Sequence, residues 1–302
     1  MRDLELKGHK AEVWVVDNRS VDGSCAMVRE QFPEVHLLAL DENLGFSKGN
    51  NRAIEQCNGR WVLLLNPDTV IPENALSKCL AYAESSPDLG GMGVPMVDGM
   101  GRFLPESKRG MPTPWAAFCK ISGLYKLAPK TEKLNQYYMG HLDPDENHCI
   151  EILSGAFMWM RKEALDQVGL LDEAYFMYGE DIDLSWRLLK GGWKNHYFAE
   201  TSIIHYKGES TKKGSLNYVL VFYKAMQIFA RTHFSGGNAR AMLGLIQLAI
   251  YFRASLAILA RVIRMVKLPV LEFSLFWTAL VVFLMQYGEA KEIQYDWNWA
   301  LP

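Results

Sequence analysis

The sequence is poor in cysteine and carries no excess of charge of either sign. Its 302 residues include 5 cysteines, an odd number that forms no C-x-x-C pair. This argues against a disulfide framework or a zinc site and favours reduced thiols in the cytosol. The formal net charge is -2, so we expect no nucleic-acid partner. The first ten residues, MRDLELKGHK, contain no apolar run, so we also expect no signal peptide before the fold.

The sequence also lacks two common phosphate-binding fingerprints. The glycine-bearing stretch NLGFSKGNN, residues 43–51, matches neither G-x-G-x-x-G nor G-x-x-x-x-G-K-[ST]. Gly45 and Gly49 would still permit close approach of the backbone to a ligand, and Lys48 could meet a phosphate. Taken alone, this loop is a weak indication of a ligand site.

What the sequence does contain is a regular alternation of apolar strands and helices in its first hundred residues. The stretches AEVWVVD, EVHLLAL and WVLLLN read as strands, and helical stretches separate them. Such alternation predicts a Rossmann-like α/β fold, with a mostly parallel sheet and helices on both faces. In sheets of this kind, ligands bind beyond the carboxyl ends of the strands.

Two carboxylates follow these predicted strands. Asp17 ends the first strand, and Asp68 follows the apolar run 61–65, which should stop at Pro67 and should be buried on both faces. Either acid alone could simply cap a turn. Together, and beside the glycine-bearing loop, they favour a ligand site at this edge of the sheet.

The second half carries further acids at the start of a helix. Residues 103–150 show little periodicity and read as a long excursion over the sheet, of the kind that often forms a lid or binding surface. Glu180 and Asp181 then begin a predicted helix. Asp181 could be a cap or a first-turn charge favoured by the helix dipole, or a carboxylate held as a general base. Asp183 should pair with Arg187 at i, i+4.

A histidine and an apolar tail complete the chain. His205 ends a strand, where a lone histidine is more often packed or hydrogen-bonded than a metal ligand. Residues 216–302 read as a helical tail, with apolar segments at 241–264 and 268–287. The second is about the ~20 residues needed to span a bilayer. Nearby arginines suit an anionic leaflet, so we favour membrane attachment over buried or surface-lying helices.

The ordered set of these stretches resembles glycosyltransferase family 2, the inverting GT-A fold group, and within it the bacterial rhamnosyltransferase-like enzymes. The matching pieces are VVDNRSVDGS, ENLGFSKGNNRAI, LLLNPDTVIP, LSGAFMWMRKEALDQVGLLDEAYFMYGEDIDLSWRL and IIHYKGEST. The resemblance implies a GT-A domain over 1–215, with a nucleotide-sugar-binding half at 11–98 and an acceptor and catalytic half at 99–215. It also implies that the family's first strand is missing, because only MRDLELKGHK precedes its second.

The resemblance further implies a role for each matching residue. Asp181 would be the catalytic base, and Asp68 with His205 would hold Mg²⁺ or Mn²⁺ across the donor diphosphate. Six residues would bind the donor: Asp17, Asn18, Gly45, Lys48, Asn66 and Asp68. Three more would support the site: Glu180, Arg187 and Lys213.

The activity implied by the resemblance is sugar transfer, with rhamnose as one candidate, from a UDP- or dTDP-type nucleotide sugar. The acceptor would be a hydroxyl of a glycan or lipid-linked molecule in surface-polysaccharide synthesis. The implied location is the cytoplasmic face of the bacterial inner membrane, whose surface would be a partner. The alternative is a catalytically silent, truncated relative that acts as a binding or scaffold protein at the membrane. A doubly wound phosphohydrolase fits less well, because no D-x-D-x-[TV] follows a first strand.

Overall fold

The computed structural model describes residues 4, 5, 7–206 and 216–291, and contacts divide the chain into two units, Met1–Ile246 and Gln247–Pro302. The strands among the described residues are β1 Trp14–Asp17, β2 His36–Ala39, β3 Trp61–Leu65, β4 Thr69–Val70, β5 Leu89–Gly93, β6 Met96–Val97, β7 His148–Ile150, β8 Phe157–Arg161, β9 Lys194–Tyr197 and β10 Ile203–His205. The α-helices are α1 Ser24–Gln31, α2 Gly45–Ile54, α3 Ala75–Ser85, α4 Pro114–Ser122, α5 Lys162–Val168, α6 Glu180–Lys190, α7 Leu216–His233 and α8 Gly236–Lys291.

The described strands form three hydrogen-bonded sheets. β1 and β2 pair in parallel, β10 lies between β4 and β6, and the largest sheet runs in the order β3-β8-β5-β9-β7. Among the seven pairings in this part of the chain, four are antiparallel. The α/β class is therefore confirmed, and the expectation of a mostly parallel sheet is wrong.

Strand β8 is the reason for this difference. It lies between β3 and β5 and runs antiparallel to both. β8 follows the long segment after β6 and the short strand β7, with no crossover helix between β7 and β8. The right-handed crossover rule, which applies to strand–helix–strand units, therefore does not set the direction of β8. β3 is consequently an edge strand of its sheet in the described structure. Val62 and Leu64 are buried on one face, while Trp61 and Leu63 on the other face are partly buried and Leu65 is exposed, so the expected burial on both faces is only partly met.

Helices cover both faces of the largest sheet, as expected. Alternate side chains of β8 point to opposite faces. Phe157 and Trp159 pack in one buried cluster with α3, while Met158 and Met160 pack in a second cluster with α5 and α6. Fully burying a side chain of this size contributes about 1.5–3 kcal/mol, so these clusters fix the sheet between its helices.

The buried carboxylate of Asp183, on α6, ties α7 to the domain. Asp183 accepts a hydrogen bond from Arg187 Nε at 2.8 Å, which confirms the predicted pair, and its Oδ1 lies 2.5 Å from His233 Nε2. Phe229 of α7 is fully buried. These contacts join α7 to the first unit, Met1–Ile246, and the functional boundary that the sequence indicated at 215 stays a prediction.

The second unit consists, in its described part, of helical residues belonging to α8. This helix joins the two apolar segments predicted at 241–264 and 268–287. Within the described residues, Val266–Tyr287 is the stretch long and apolar enough to cross a membrane, with 22 residues and a mean hydropathy of 2.0. Large apolar side chains along it, such as Phe273 and Phe276, are exposed.

Candidate active site

The carboxyl end of β1 forms a turn that two side chains stabilise. Asp17 Oδ2 accepts a hydrogen bond from the Ser20 backbone N–H at 2.9 Å, so Asp17 does cap the turn that follows it. Hydrogen bonding from the Ser20 side chain is the main influence that lowers the pKa of Asp17. Asn18 donates from Nδ2 to the Gly45 carbonyl at 3.1 Å and accepts from the Leu44 N–H at 3.3 Å. Asn18 thereby fastens the glycine-bearing loop to the end of β1.

The two glycines of that loop lie against other residues of the domain. Gly45 has a positive φ of 82°, and a Cβ there would lie 2.4 Å from the Phe176 carbonyl oxygen. A Cβ on Gly49 would lie 3.0 Å from the Asn18 side chain. The close approach predicted for a ligand is therefore used here for internal packing, while Lys48 is exposed on α2. Because Phe46 N–H donates to Phe176 at 2.7 Å, the loop also reaches the segment that leads into α6.

Asp68 and His205 come together at the end of β3. The Asn66 N–H donates to the Ala156 carbonyl at 3.0 Å, and β4 then pairs antiparallel with β10, with Thr69 opposite His205. This register leaves Asp68 Oδ1 3.3 Å from His205 Nε2, with each side chain 11% exposed. The pairing of these two residues, distant in sequence, depends on the short strands β4 and β10.

This carboxylate and imidazole fit the requirements of a divalent cation that is shared with a substrate. The described residues contain no group of three or more His, Cys, Asp or Glu side chains with metal-binding geometry. Mg²⁺ is usually held by one or two carboxylates together with substrate phosphates rather than by a full protein cage, and a carboxylate oxygen also suits Mn²⁺. Asp68 and His205 would supply two donors and leave the remaining positions to phosphate oxygens.

Asp181 lies in the first turn of α6 and contacts a buried arginine. Its Oδ2 lies 2.5 Å from Arg109 Nη2 and accepts from the Gly155 N–H at 3.3 Å. Arg109 also donates to the Leu153 carbonyl. Asp181 is thus an ion-paired carboxylate with its side chain 15% exposed, rather than only a helix cap.

Contacts along one short segment connect Asp181 to the end of β3. Gly155 donates to Asp181, and the next residue, Ala156, accepts from Asn66, two residues before Asp68. On the other side, the loop at Gly45 contacts the segment that precedes α6. The structure therefore links these parts of the predicted site through direct hydrogen bonds.

One of the predicted supporting residues, Arg187, joins two helices of the domain. Arg187 binds Asp183 and donates to the carbonyls of residues 168, 169 and 170, so it joins α6 to the end of α5. Lys213 lies outside the described residues. Sequence reasoning missed Arg109, because a basic pair in an irregular segment reads as a solvated surface, and nothing local indicates its burial.

Glu180 is buried beside Asp181, and its Oε2 has no hydrogen-bond partner among the described residues. Burial and, after it, the Asp181 charge raise the pKa of Glu180 to about 8, from an ordinary value of 4.5. The folded protein therefore binds this proton more tightly than the unfolded chain does. The resulting stability is complete below pH 4.5 and is lost as the pH rises to about 8.

Replacing Glu180 by glutamine should flatten this pH dependence. At pH 8 the Glu180→Gln variant should exceed the wild type in free energy of unfolding, by on the order of a few kcal/mol, because no buried charge forms. Denaturant unfolding at pH 5, 6.5 and 8 measures the effect. Glu84→Gln, at an exposed ion pair with Arg60, is the matched control. Parallel pH profiles for wild type and Glu180→Gln would contradict the assignment.

Comparisons with known proteins identify the family of this chain. A family model described as "Glycosyltransferase like family 2" matches residues 7–218. The chain is 29% identical over 235 residues to an N-acetylglucosaminyl-diphospho-decaprenol L-rhamnosyltransferase of Mycobacterium tuberculosis, covering 74% of this chain and 76% of that protein. It is 27% identical over 183 residues to the low-salt glycan biosynthesis hexosyltransferase Agl10 of Haloferax volcanii, covering 59% and 53% respectively. Among solved structures, a mannosyltransferase from Pyrobaculum calidifontis in complex with GDP-Man and Mn²⁺ is 15% identical, with a TM-score of 0.47, covering 83% of this chain and 69% of that chain.

Proposed function

The chain belongs to glycosyltransferase-like family 2, and from this premise we propose that it is an inverting, metal-dependent enzyme of surface-polysaccharide synthesis. It moves a sugar from a UDP- or dTDP-type donor to a hydroxyl of a glycan or lipid-linked acceptor. The similarity to an L-rhamnosyltransferase that carries diphospho-decaprenol in its name supports rhamnose and a lipid-linked acceptor as the first candidates.

The donor binds, in this proposal, between the end of β1 and the end of β3. Asp17 and Asn18 meet the nucleoside, and the loop that Asn18 fastens, with Gly45 and Lys48, borders the same space. Asp68 and His205 are the residues that would hold the divalent cation. When bound, that cation neutralises the negative charge that develops on the departing nucleoside diphosphate.

Asp181 is the general base of the proposed reaction. An acceptor hydroxyl is far too weakly acidic to ionise unaided, so a carboxylate must take its proton as the hydroxyl attacks the far side of the sugar. The Arg109 guanidinium, in contact with Oδ2, holds the carboxylate of Asp181 in place before the acceptor arrives. The observation that carries the proposal is the hydrogen-bonded connection from Asp181 through Gly155 and Ala156 to Asn66, next to the Asp68–His205 pair.

Membrane attachment through the second unit accompanies this activity in our proposal. The exposed apolar residues of Val266–Tyr287 would enter or cross the bilayer, and the domain would work at the cytoplasmic face of the bacterial inner membrane. A lipid-linked acceptor would then be presented at the same surface.

A screen of nucleotide sugars with the full chain tests the proposed function. One donor class should raise the melting temperature only when Mn²⁺ or Mg²⁺ is present, and a ligand at a hundred times its Kd adds about 2.7 kcal/mol. The same donor should release nucleoside diphosphate slowly by hydrolysis. If no donor stabilises the protein and none is consumed, the alternative of a catalytically silent binding or scaffold protein is favoured.

A further inference from the structure

Behind Asp181 lies a row of side chains that the family match does not assign. Arg109 contacts Asp181 directly, and Tyr137 lies near Arg109, whose charge is among the influences that lower the pKa of the tyrosine. The Nζ of Lys120, on α4, lies 3.6 Å from the centroid of the Tyr137 ring. The row thus runs from α4 to the first turn of α6, and all of its members except Asp181 come from the long segment between β6 and β7.

The backbone around Arg109 is built to hold it in this row. The Gly110 N–H donates to the Tyr137 carbonyl at 2.9 Å, and a Cβ on Gly110 would lie 2.5 Å from the Gln136 carbonyl oxygen. Arg109 itself bridges to Ile152. Because only glycine fits at position 110, the arginine and the tyrosine are kept side by side.

The electrostatics of the row are consistent with a fixed, charged Arg109. Burial is the largest single influence and acts to lower the pKa of Arg109, but Asp181 and Tyr137 together outweigh it, and the pKa lies above its ordinary value. Burial likewise acts to raise the pKa of Tyr137, and the charges of Lys120 and Arg109 lower it instead. The groups that face Asp181 are therefore Arg109 from the segment before β7 and Glu180 from its own helix.

We propose that Arg109, held by Tyr137, is a positioning residue for the proposed base. It binds Oδ2 of Asp181 together with the Gly155 N–H, so that the plane of the carboxylate is fixed. Oδ1, which in the described part of the chain accepts from the Ile182 N–H at 2.8 Å, then faces the acceptor hydroxyl. This inference rests on the proposed function. It adds that the long segment between β6 and β7 orients the base as well as forming the acceptor side.

Steady-state kinetics of Arg109→Met and Arg109→Lys test the inference. Arg109→Met should lower kcat by about 10–100-fold, since a misplaced catalytic group has losses of this size. The KM for the donor should stay unchanged, because the proposed donor contacts lie at the ends of β1 and β3. Arg109→Lys, which keeps the positive charge but not the forked geometry, should restore part of kcat. Arg102→Met, at a largely exposed arginine in the same segment, is the control and should leave both unchanged.

Non-additivity separates positioning from a general structural role. In an Asp181→Asn background, Arg109→Met should cause no further loss of residual activity, because its effect acts through Asp181. If Arg109→Met folds poorly, Tyr137→Phe should show a smaller loss of kcat, again with the donor KM unchanged. An unchanged kcat in both variants, or additive losses, would overturn the inference and leave the proposed function standing. Absence of turnover by the wild type with every donor would contradict the proposed function itself and this inference with it.

Discussion

Replacing Asp181 by asparagine should lower the rate of sugar transfer by about 10²–10⁴-fold, the usual contribution of a general base. The amide has nearly the same shape as the carboxylate and can still accept hydrogen bonds from Arg109 and Gly155. It has no basic oxygen for the acceptor proton, so kcat should fall. Donor affinity should persist, because the proposed donor contacts lie at the ends of β1 and β3. Initial rates at saturating donor and acceptor measure the loss, and donor-induced thermal shifts measure the binding.

The same substitution should also destabilise the fold, for a separate reason. Arg109 is buried against Asp181, and removing one partner of a buried pair typically costs about 3–5 kcal/mol, because a charge is left uncompensated. The rate must therefore be measured well below the melting temperature of the variant. The double variant Asp181→Asn with Arg109→Met removes both charges, so it should be more stable than Asp181→Asn alone and equally inactive.

Asp166→Asn provides the control for this experiment. Asp166 is an exposed acid on α5, paired with Lys162, and surface pairs contribute only about 0–1 kcal/mol. Its replacement should leave rate and stability nearly unchanged. If the folded Asp181→Asn variant turned over at the wild-type rate, the base assignment would be wrong, and Glu180 would become the next carboxylate to test.

Some features of the site were predictable because strand ends and i, i+4 pairs depend on residues that are close together in the sequence. The apolar runs before Asp17 and Asp68 predicted where strands stop, and the structure has β1 ending at Asp17 and β3 three residues before Asp68. The i, i+4 pair of Asp183 with Arg187 was predictable for the same reason. Each of these depends on interactions within a few positions of the chain.

The parts that could not be predicted depend on segments far apart in sequence. The antiparallel placement of β8 between β3 and β5 depends on pairing between segments that are far apart in sequence. The apolar pattern of β8 itself does not indicate whether its neighbours run parallel or antiparallel to it. Likewise, Arg109 reaches Asp181 over 72 positions. Gly45 had the right signal, a glycine needed for close approach, but the sequence could not say that the approaching group was Phe176.

The Asp68→Asn variant should lose the metal dependence of donor binding. In the wild type, donor with Mn²⁺ at a hundred times its Kd should add about 2.7 kcal/mol of stability, or roughly 5–10 °C in melting temperature for a protein of this size. The asparagine carries no charge and is a poorer ligand for a hard cation. Adding Mn²⁺ should therefore raise the melting temperature of the donor-bound variant by at most a small fraction of that amount.

Two further variants test whether the metal dependence belongs to the Asp68–His205 pair. His205→Gln should give a partial loss in the same direction, because it removes the imidazole donor and keeps a polar side chain of similar length. Asp88→Asn, at a surface ion pair with Lys194, should behave as the wild type does. The pairing of β4 with β10 brings His205 beside Asp68. Loss of the Mn²⁺ effect in both Asp68→Asn and His205→Gln would therefore assign cation binding to this part of the fold. Full Mn²⁺ dependence in Asp68→Asn would instead move the cation elsewhere and remove Asp68 from the proposed mechanism.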